Sequence, residues 1–236
     1  MQLGIIEVPT LKDLFVEKIE DQILSGKLRA GDALPSERQL HEETHISKTV
    51  IHAGLVELER KGFIEVIPRK GTFVANYDET GTMETLNSLI RHNGGNMTPS
   101  QAKHFLEARI AIEGAALRRL AEDPSEEDIS VLEQKLADID AAASDPAGTD
   151  RLSEAFFCFH RCICLRSGNE FFPLLLNEFK PVILAFWERS IMVFGVAANV
   201  SLSRRYLEDI RRRDGESAYA RLVKSVNEYL SCCYEQ

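Results

Sequence analysis

No run of apolar residues in this chain of 236 approaches the roughly 18 that a membrane-spanning helix requires, so no membrane partner is expected. Cysteine is sparse and poorly arranged for disulfides. The five thiols are an odd number, at positions 158, 162, 164, 232 and 233, which argues against the stapled framework of a secreted domain and for reduced thiols. The opening residues MQLGIIEVPTLKDLF have neither the basic region nor the apolar core of a secretory leader, and a cytoplasmic location is the expectation. Positive charge is also in deficit: 28 Lys and Arg stand against 37 Asp and Glu, a net charge of -9. That balance excludes a protein that coats nucleic acid or anionic lipid, although it permits a local DNA-binding surface. The acid is unevenly spread. Residues 1–77 hold 10 basic and 12 acidic side chains, a net of -2, which leaves -7 for the remainder.

What is present is an ordinary globular composition, 44% hydrophobic and 28% charged, in a length that suits two modest domains. The stretch TLKDLFVEKIEDQILSG places Leu11, Leu14, Phe15, Ile19 and Ile23 at helical spacing, with Thr10 as N-cap and Gly26 as stop. KLRAGDALP is a turn-rich connector, after which Ser36 caps a short second helix. In ISKTVIHAGLVELERKG, Ser47 caps a third helix, Ile51, Leu55 and Leu58 form its buried stripe, and Gly62 ends it. Two β-rich runs, Phe63–Ile67 and Thr72–Ala75, flank Pro68, Arg69, Lys70 and Gly71 and predict a hairpin. Three helices and a two-stranded wing are the layout of a winged helix-turn-helix. From Asp78 onward the patterns are helical only, near 80–92, 99–122, 126–142, 151–166, 171–193, 201–213 and 215–233, broken at HNGGNMTPS and SDPAGTD. The predicted fold class is therefore mainly α: an N-terminal winged helix-turn-helix over 1–77, and over 78–236 an all-α bundle of the kind that builds ligand sites between facing helices.

The run LPSERQLHEETHISKTVIHAGLVELERKGFIEVIPRKGTFV resembles the DNA-binding domain of the GntR superfamily of bacterial transcription regulators. The resemblance is carried by Leu34-Pro35-Ser36-Glu37-Arg38, by Ile46-Ser47-Lys48-Thr49 with Leu55 and Leu58, by Gly62-Phe63, and by Arg69-Lys70-Gly71-Thr72-Phe73-Val74. The helical remainder resembles the FadR-type ligand domain through FLEARIAIEGAALRRLA, Phe159-His160, the SGN at 167–169 and LEDIRRRDGESAYARLV. Carried over residue by residue, the resemblance implies DNA contacts from Arg38, Ser47, Lys48, Thr49, His52, Arg69, Lys70 and Gly71. The chemistry is compatible. A helix start offers free amides and partial positive charge to a phosphate, and Gly71 lets backbone approach a groove. Many relatives have arginine where this chain has Lys48 and His52, so a different operator is implied, since neither side chain reproduces arginine's bidentate fork. The bland alternative is a solvated helix face.

The segment FFCFHRCIC, residues 156–164, sets three cysteines around His160. At 100° per residue, Cys158 and Cys162 share one helix face while Phe156, His160 and Cys164 share the opposite one, so the cluster cannot grip one ion as a whole. Many FadR-type domains hold a divalent metal through an aspartate and three histidines. The corresponding positions here are Phe156, His160, Ser203 and Ser225, which leaves one ligand of four, and no metal or other cofactor is expected. A rescue by His160 and Cys164 with Cys232 or Cys233 is the competing metal reading. Buried thiols acting as small apolar groups are the commoner outcome, and a redox sensor would need an exposed thiol of low pKa.

Arg109 lies in the inward stripe Phe105, Ala108, Arg109, Ile112, Ala116, where a guanidinium must be paired, either with Glu113 one turn on or with an anionic effector. The resemblance implies an effector cavity bearing Arg109, Glu113, Phe156, His160, Trp187, Ser203 and Ser225, metal-free, for a small organic acid or an acyl-CoA. DETGTMETLNSLI and SGNEFFPLLLNEFKPVI echo the acyl-CoA-responsive branch, in which Phe171, Phe172, Phe179, Phe186, Trp187 and Phe194 would line an acyl pocket, although plain core is the commoner role of aromatic residues at helical spacing. A homodimeric repressor on a palindromic operator is the function implied. The competing class is an enzyme acting on a small carboxylate through a metal or through His160 as base. Such an enzyme needs a second positioned catalytic group, and Phe156, Ser203 and Ser225 supply none.

Overall fold

The computed structural model describes residues 9–92, 97–145 and 148–234, and the chain divides into two compact units, Met1–Gly94 and Gly95–Gln236. In the first unit, helix α1 (Leu11–Leu24) begins where Thr10 accepts the Asp13 amide and Asp13 accepts the Thr10 amide in return. Helix α2 (Glu37–Thr44) begins the same way with Ser36 and Gln39. Each reciprocal cap satisfies amides that have no acceptor inside the helix. Helix α3 (Lys48–Arg60) starts at Ser47, whose hydroxyl accepts the Val50 amide. His45, left-handed at φ 59°, makes the turn between α2 and α3.

Strands β1 (Ile64–Ile67) and β2 (Gly71–Val74) pair antiparallel, Ile64 opposite Val74 and Ile67 opposite Gly71. The connector before α2 also joins this ladder: the Leu34 amide donates to Thr72 O and the Gly31 amide to Val74 O. Phe15, Ile51, Leu55, Leu58, Phe63 and Val74 form the core beneath the wing. Gly54 sets how closely α1 and α3 meet, since a Cβ there would lie 2.5 Å from the buried Phe15 ring.

The short helix α4 (Tyr77–Thr80) had no signal in the periodicity, and α5 (Met83–His92) lies with the first unit, whereas the sequence reading began the second at Asp78. The tie is polar. Ser88 Oγ donates to Glu20 at 3.1 Å, Lys61 Nζ donates to the same oxygen at 2.8 Å, Thr85 donates to Lys61 O, and His92 Nδ1 lies 2.6 Å from Asp21. Glu20, Lys61, Thr85 and Ser88 are all buried, and hydrophobic spacing cannot register such a network.

The second unit contains α6 (Pro99–Glu122), α7 (Glu126–Ala143), α8 (Thr149–Arg166), α9 (Phe171–Glu178), α10 (Lys180–Phe194), α11 (Val196–Arg211) and α12 (Gly215–Tyr234). The single helix predicted over 171–193 is two helices. Pro181, in the first turn of α10, lacks an amide and its ring would clash with the carbonyl four residues back, so the chain breaks at Phe179. The helix predicted from 201 starts at Val196, directly after Gly195 at φ 79°, and α10 and α11 meet at 117°. Asn199 holds that corner: its Nδ2 donates to Gly195 O at 2.9 Å, and its Oδ1 accepts from Ser190 Oγ at 2.8 Å. Helix α12 packs on α6 at Gly114, where a Cβ would sit 2.6 Å from the Tyr219 ring. Among the described residues no single helix is long and apolar enough to cross a membrane. The breaks read at 92–100 and 144–150 fall partly on 93–96 and 146–147, and the opening residues read as lacking a secretory leader fall partly on 1–8, all outside the described residues.

Gly54→Val should overpack the contact between α1 and α3 and cost about 1–3 kcal/mol. Urea unfolding followed by circular dichroism measures the loss. An unchanged midpoint would mean that the two helices do not depend on this close approach.

Candidate functional site

Two surfaces concentrate unusual chemistry, one in each unit. In the first, Ser47, Lys48, Thr49 and His52 are exposed along the start of α3, and Arg69, Lys70 and Gly71 are exposed at the wing tip. The amides of Lys48 and Thr49, in the first turn, have no intrahelical acceptor. Two of the sequence-predicted residues are engaged with carboxylates: His52 Nδ1 lies 2.8 Å from Glu37, and Arg38 Nη1 lies 3.5 Å from Glu42. At the wing, the Lys70 amide donates to Ile67 O, Pro68 opens the turn, and Arg69 takes φ 66°. A positive φ at the third corner after proline is the type II pattern that favours glycine. A non-glycine residue there carries a conformational cost, and such outliers point toward function.

In the second unit, α6, α8, α10, α11 and α12 surround a cavity of about 240 Å³. Arg109 and Glu113, both 1% exposed, sit one turn apart on α6. Arg109 Nε donates to Glu113 Oε1 at 2.7 Å and Nη2 to Oε2 at 3.2 Å, so the internal pair weighed from the sequence is formed. From α8, His160 Nδ1 meets the same carboxylate at 2.8 Å. Burial pushes the Glu113 carboxyl up, but the Arg109 charge and the His160 contact outweigh it and hold the group down at about 2. Burial likewise pushes the His160 imidazole down, and the neighbouring carboxylate only partly offsets this. An ionised carboxylate is acceptor-only, so Nδ1 carries the proton that His160 donates. Three buried atoms are then left without a hydrogen-bond partner on residues that line the cavity: Arg109 Nη1, His160 Nε2 and Trp187 Nε1. Buried polar groups are normally paired, so three orphans around one hollow need an explanation.

Of the sequence-predicted set, Arg109, His160, Trp187 and Ser225 line the hollow, whereas Glu113, Phe156 and Ser203 do not. Glu113 lies behind it as the shared acceptor. Phe156 is fully buried and stacks on Trp187, with centroids 4.6 Å apart, and Ser203 Oγ donates to Asn199 O. The six aromatic residues divide between the two roles weighed for them. Phe186, Trp187 and Phe194 line the cavity, while Phe171, which is exposed, and Phe172 and Phe179 do not. Sequence reasoning missed Ser190, Asn199, Arg205, Tyr206 and Glu228. All but Ser190 lie on α11 or α12, where the spacing from Ser203 and Ser225 carried the signal: Tyr206 is one turn beyond Ser203, and Glu228 lies three residues beyond Ser225.

The family's metal does not fit these residues. Phe156 offers no donor, Ser203 Oγ is committed to Asn199 O, and Ser225 Oγ donates to Leu222 O at 2.9 Å. No three His, Cys, Asp or Glu side chains among the described residues come together as a ligand set. The three thiols around His160 do not suit redox sensing: burial raises the pKa values of Cys158, Cys162 and Cys164, and Cys164 is fully buried.

Comparison with known proteins matches residues 12–74 to "Bacterial regulatory proteins, gntR family" and residues 104–227, more than half of the chain, to "FCD domain". An uncharacterized HTH-type transcriptional regulator, YcbG, of Bacillus subtilis is 29% identical over 169 residues, which covers 72% of this chain and 67% of that protein. The fatty acid metabolism regulator protein of Proteus mirabilis is 27% identical over 164 residues, covering 70% of this chain and 65% of the relative, just under two thirds of its length. A solved structure titled "Lar controls the expression of the Listeria monocytogenes agr system and mediates virulence" superposes with a TM-score of 0.60 at 14% identity. It covers 95% of this chain and 97% of that one, and shows a shared fold.

The ionic cluster sets an acid limit on the second unit. His160 is harder to protonate folded than unfolded, so stability falls as pH drops below about 6.5, the ordinary histidine value. Glu113 adds a second loss between its unfolded value of 4.5 and about 2, because the unfolded chain binds that proton first. Thermal melting from pH 8 to pH 4 should show the decline, and His160→Gln should flatten its upper part. A melting temperature that rises on acidification would contradict the assignment.

Proposed function

Since the chain belongs to the GntR family of bacterial regulatory proteins with an FCD domain, and is a DNA-binding transcription regulator rather than an enzyme, we propose that it is a homodimeric, effector-controlled repressor of a palindromic operator. The first unit reads the operator. Lys48, Thr49 and the free amides at the start of α3 approach the major groove with Ser47, and Arg69, Lys70 and Gly71 carry the wing to the adjacent backbone. Arg38 and His52 exchange their carboxylate partners, Glu42 and Glu37, for phosphate or base edges. A two-fold dimer would match the two-fold symmetry of such a site.

The second unit binds the effector, and the observation that carries this reading is the set of three unpartnered buried atoms on Arg109, His160 and Trp187 around one cavity. A volume of about 240 Å³ lies below the ~300–1,000 Å³ of pockets that enclose drug-sized ligands, which favours a small organic acid over an acyl thioester. Arg109 Nη1 supplies the charge-assisted donor to the acid. Ser190 and Asn199 line the cavity and also hold the corner between α10 and α11, so an occupant touches the joint it would have to move. The effector shifts the DNA-bound fraction only by its difference in affinity for the two states.

Lys48→Ala and Arg69→Ala should each weaken binding to the DNA upstream of the protein's own gene. Each lost phosphate contact should also reduce the slope of log affinity against log salt by about 0.9. Fluorescence anisotropy over a salt series reads both, and parental affinity and slope in the two variants would remove the interface. Trp187→Phe keeps the stack on Phe156 and deletes one donor. It should weaken effector-induced release of DNA about tenfold while operator affinity stays at the parental value. An unchanged effector response would remove the indole from the site.

A further inference from the structure

Of the four positions that the family resemblance assigns to metal ligands, only His160 bears a ligating side chain, the others being Phe156, Ser203 and Ser225, so its outer ring nitrogen is left for another task. Its direction of hydrogen bonding is fixed by the other side of the ring. Glu113 is already bonded twice by Arg109, it is ionised, and it lies 2.8 Å from Nδ1, so Nδ1 is the protonated nitrogen. In a neutral ring Nε2 then bears a lone pair and no hydrogen. That atom is buried, makes no hydrogen bond, and belongs to a cavity-lining residue. The hollow therefore has two kinds of unmet demand. Arg109 Nη1 and the Trp187 indole are donors that need acceptors, and His160 Nε2 is an acceptor that needs a donor.

A plain carboxylate answers only half of this. It brings oxygens to Arg109 and Trp187 but at neutral pH has no hydrogen to give, and it would seal Nε2 into the complex unpaired. We propose that the effector is a hydroxylated carboxylic acid whose hydroxyl donates directly to Nε2 of His160, with no metal between them, while its carboxylate accepts from Nη1 of Arg109. This rests on the cavity being the effector site. It adds a selection rule: among acids of equal size, those with a hydroxyl near the carboxylate are chosen, because the analogue without it leaves a buried acceptor orphaned.

Two measurements on the full-length protein test the proposal. Long-range proton-nitrogen correlation spectra of the imidazoles, with His160 assigned by the spectrum that His160→Phe loses, should place Nε2 at the shift of a bare ring nitrogen. Calorimetry with the matched pairs lactate and propionate, and malate and succinate, should show the hydroxylated member of at least one pair binding about tenfold or more tightly. His160→Phe should reduce that preference to within twofold. Nε2 found protonated in the free protein would overturn the proposal whatever the variant does, as would zinc chloride alone moving the His160 nitrogen signals. Equal binding within each pair would overturn it while leaving the cavity as an acid site. No binding of any of the four acids would overturn this proposal and also count against the small-acid reading itself.

Discussion

The Glu113 carboxylate is the fixed point of the effector unit. It is 1% exposed, and it remains charged only because Arg109 grips both oxygens from one turn away while His160 donates from a second helix. Removing either charge of such a buried pair costs about 3–5 kcal/mol, since the other is left uncompensated. The same bonds decide what remains for a ligand. With Nε and Nη2 of Arg109 spent on Glu113, Nη1 is left, and with Nδ1 of His160 spent, Nε2 is left. The cavity's chemistry is what remains once Glu113 has been satisfied.

Aromatic packing keeps that arrangement stiff. Phe156 stacks on Trp187, while the Arg109 guanidinium lies 4.5 Å from the Phe186 ring centroid and 5.3 Å from that of Trp187. A cation held against aromatic faces gains attraction that a hydrocarbon wall would not supply. The Phe156 ring leaves no void beside His160 and orients the indole, so the site is a hydrogen-bonding one with apolar walls.

The sequence was most legible where one residue type has one structural use. Thr10, Ser36 and Ser47 announce helix starts because a side-chain oxygen there answers a free amide, and all three cap as read. Gly26 and Gly62 mark helix ends because their left-handed backbones, at φ 76° and 77°, suit glycine. Arg109 beside Glu113 was legible as a buried charge that must be paired, but not as a donor with one arm to spare, because that follows from which nitrogens the carboxylate can reach. The break at Phe179 was misread because apolar periodicity runs through Pro181 undisturbed. The membership of α5 in the first unit was missed because it depends on Glu20, Lys61 and Ser88 meeting in a buried polar cluster drawn from distant parts of the chain.

How an acidic protein engages an acidic polymer follows from the local arrangement of charge. Net charge acts over a Debye length of about 8 Å at physiological salt, so carboxylates on remote helices are screened from the groove while those beside it are not. Glu37 and Glu42 are of the second kind, since they already hold His52 and Arg38. In the free protein these contacts dampen the basic surface. In the proposed complex the phosphates compete for the same side chains, and exposed pairs are worth no more than about 1 kcal/mol to break. Among the described residues, the start of α3 and the arginine held at positive φ on the wing have no such carboxylate partner to give up. In the proposed complex, non-specific attraction is weakened by the carboxylates, whereas a cognate site that engages α3 and the wing together recovers the cost, so the neighbouring acid favours selectivity over raw affinity.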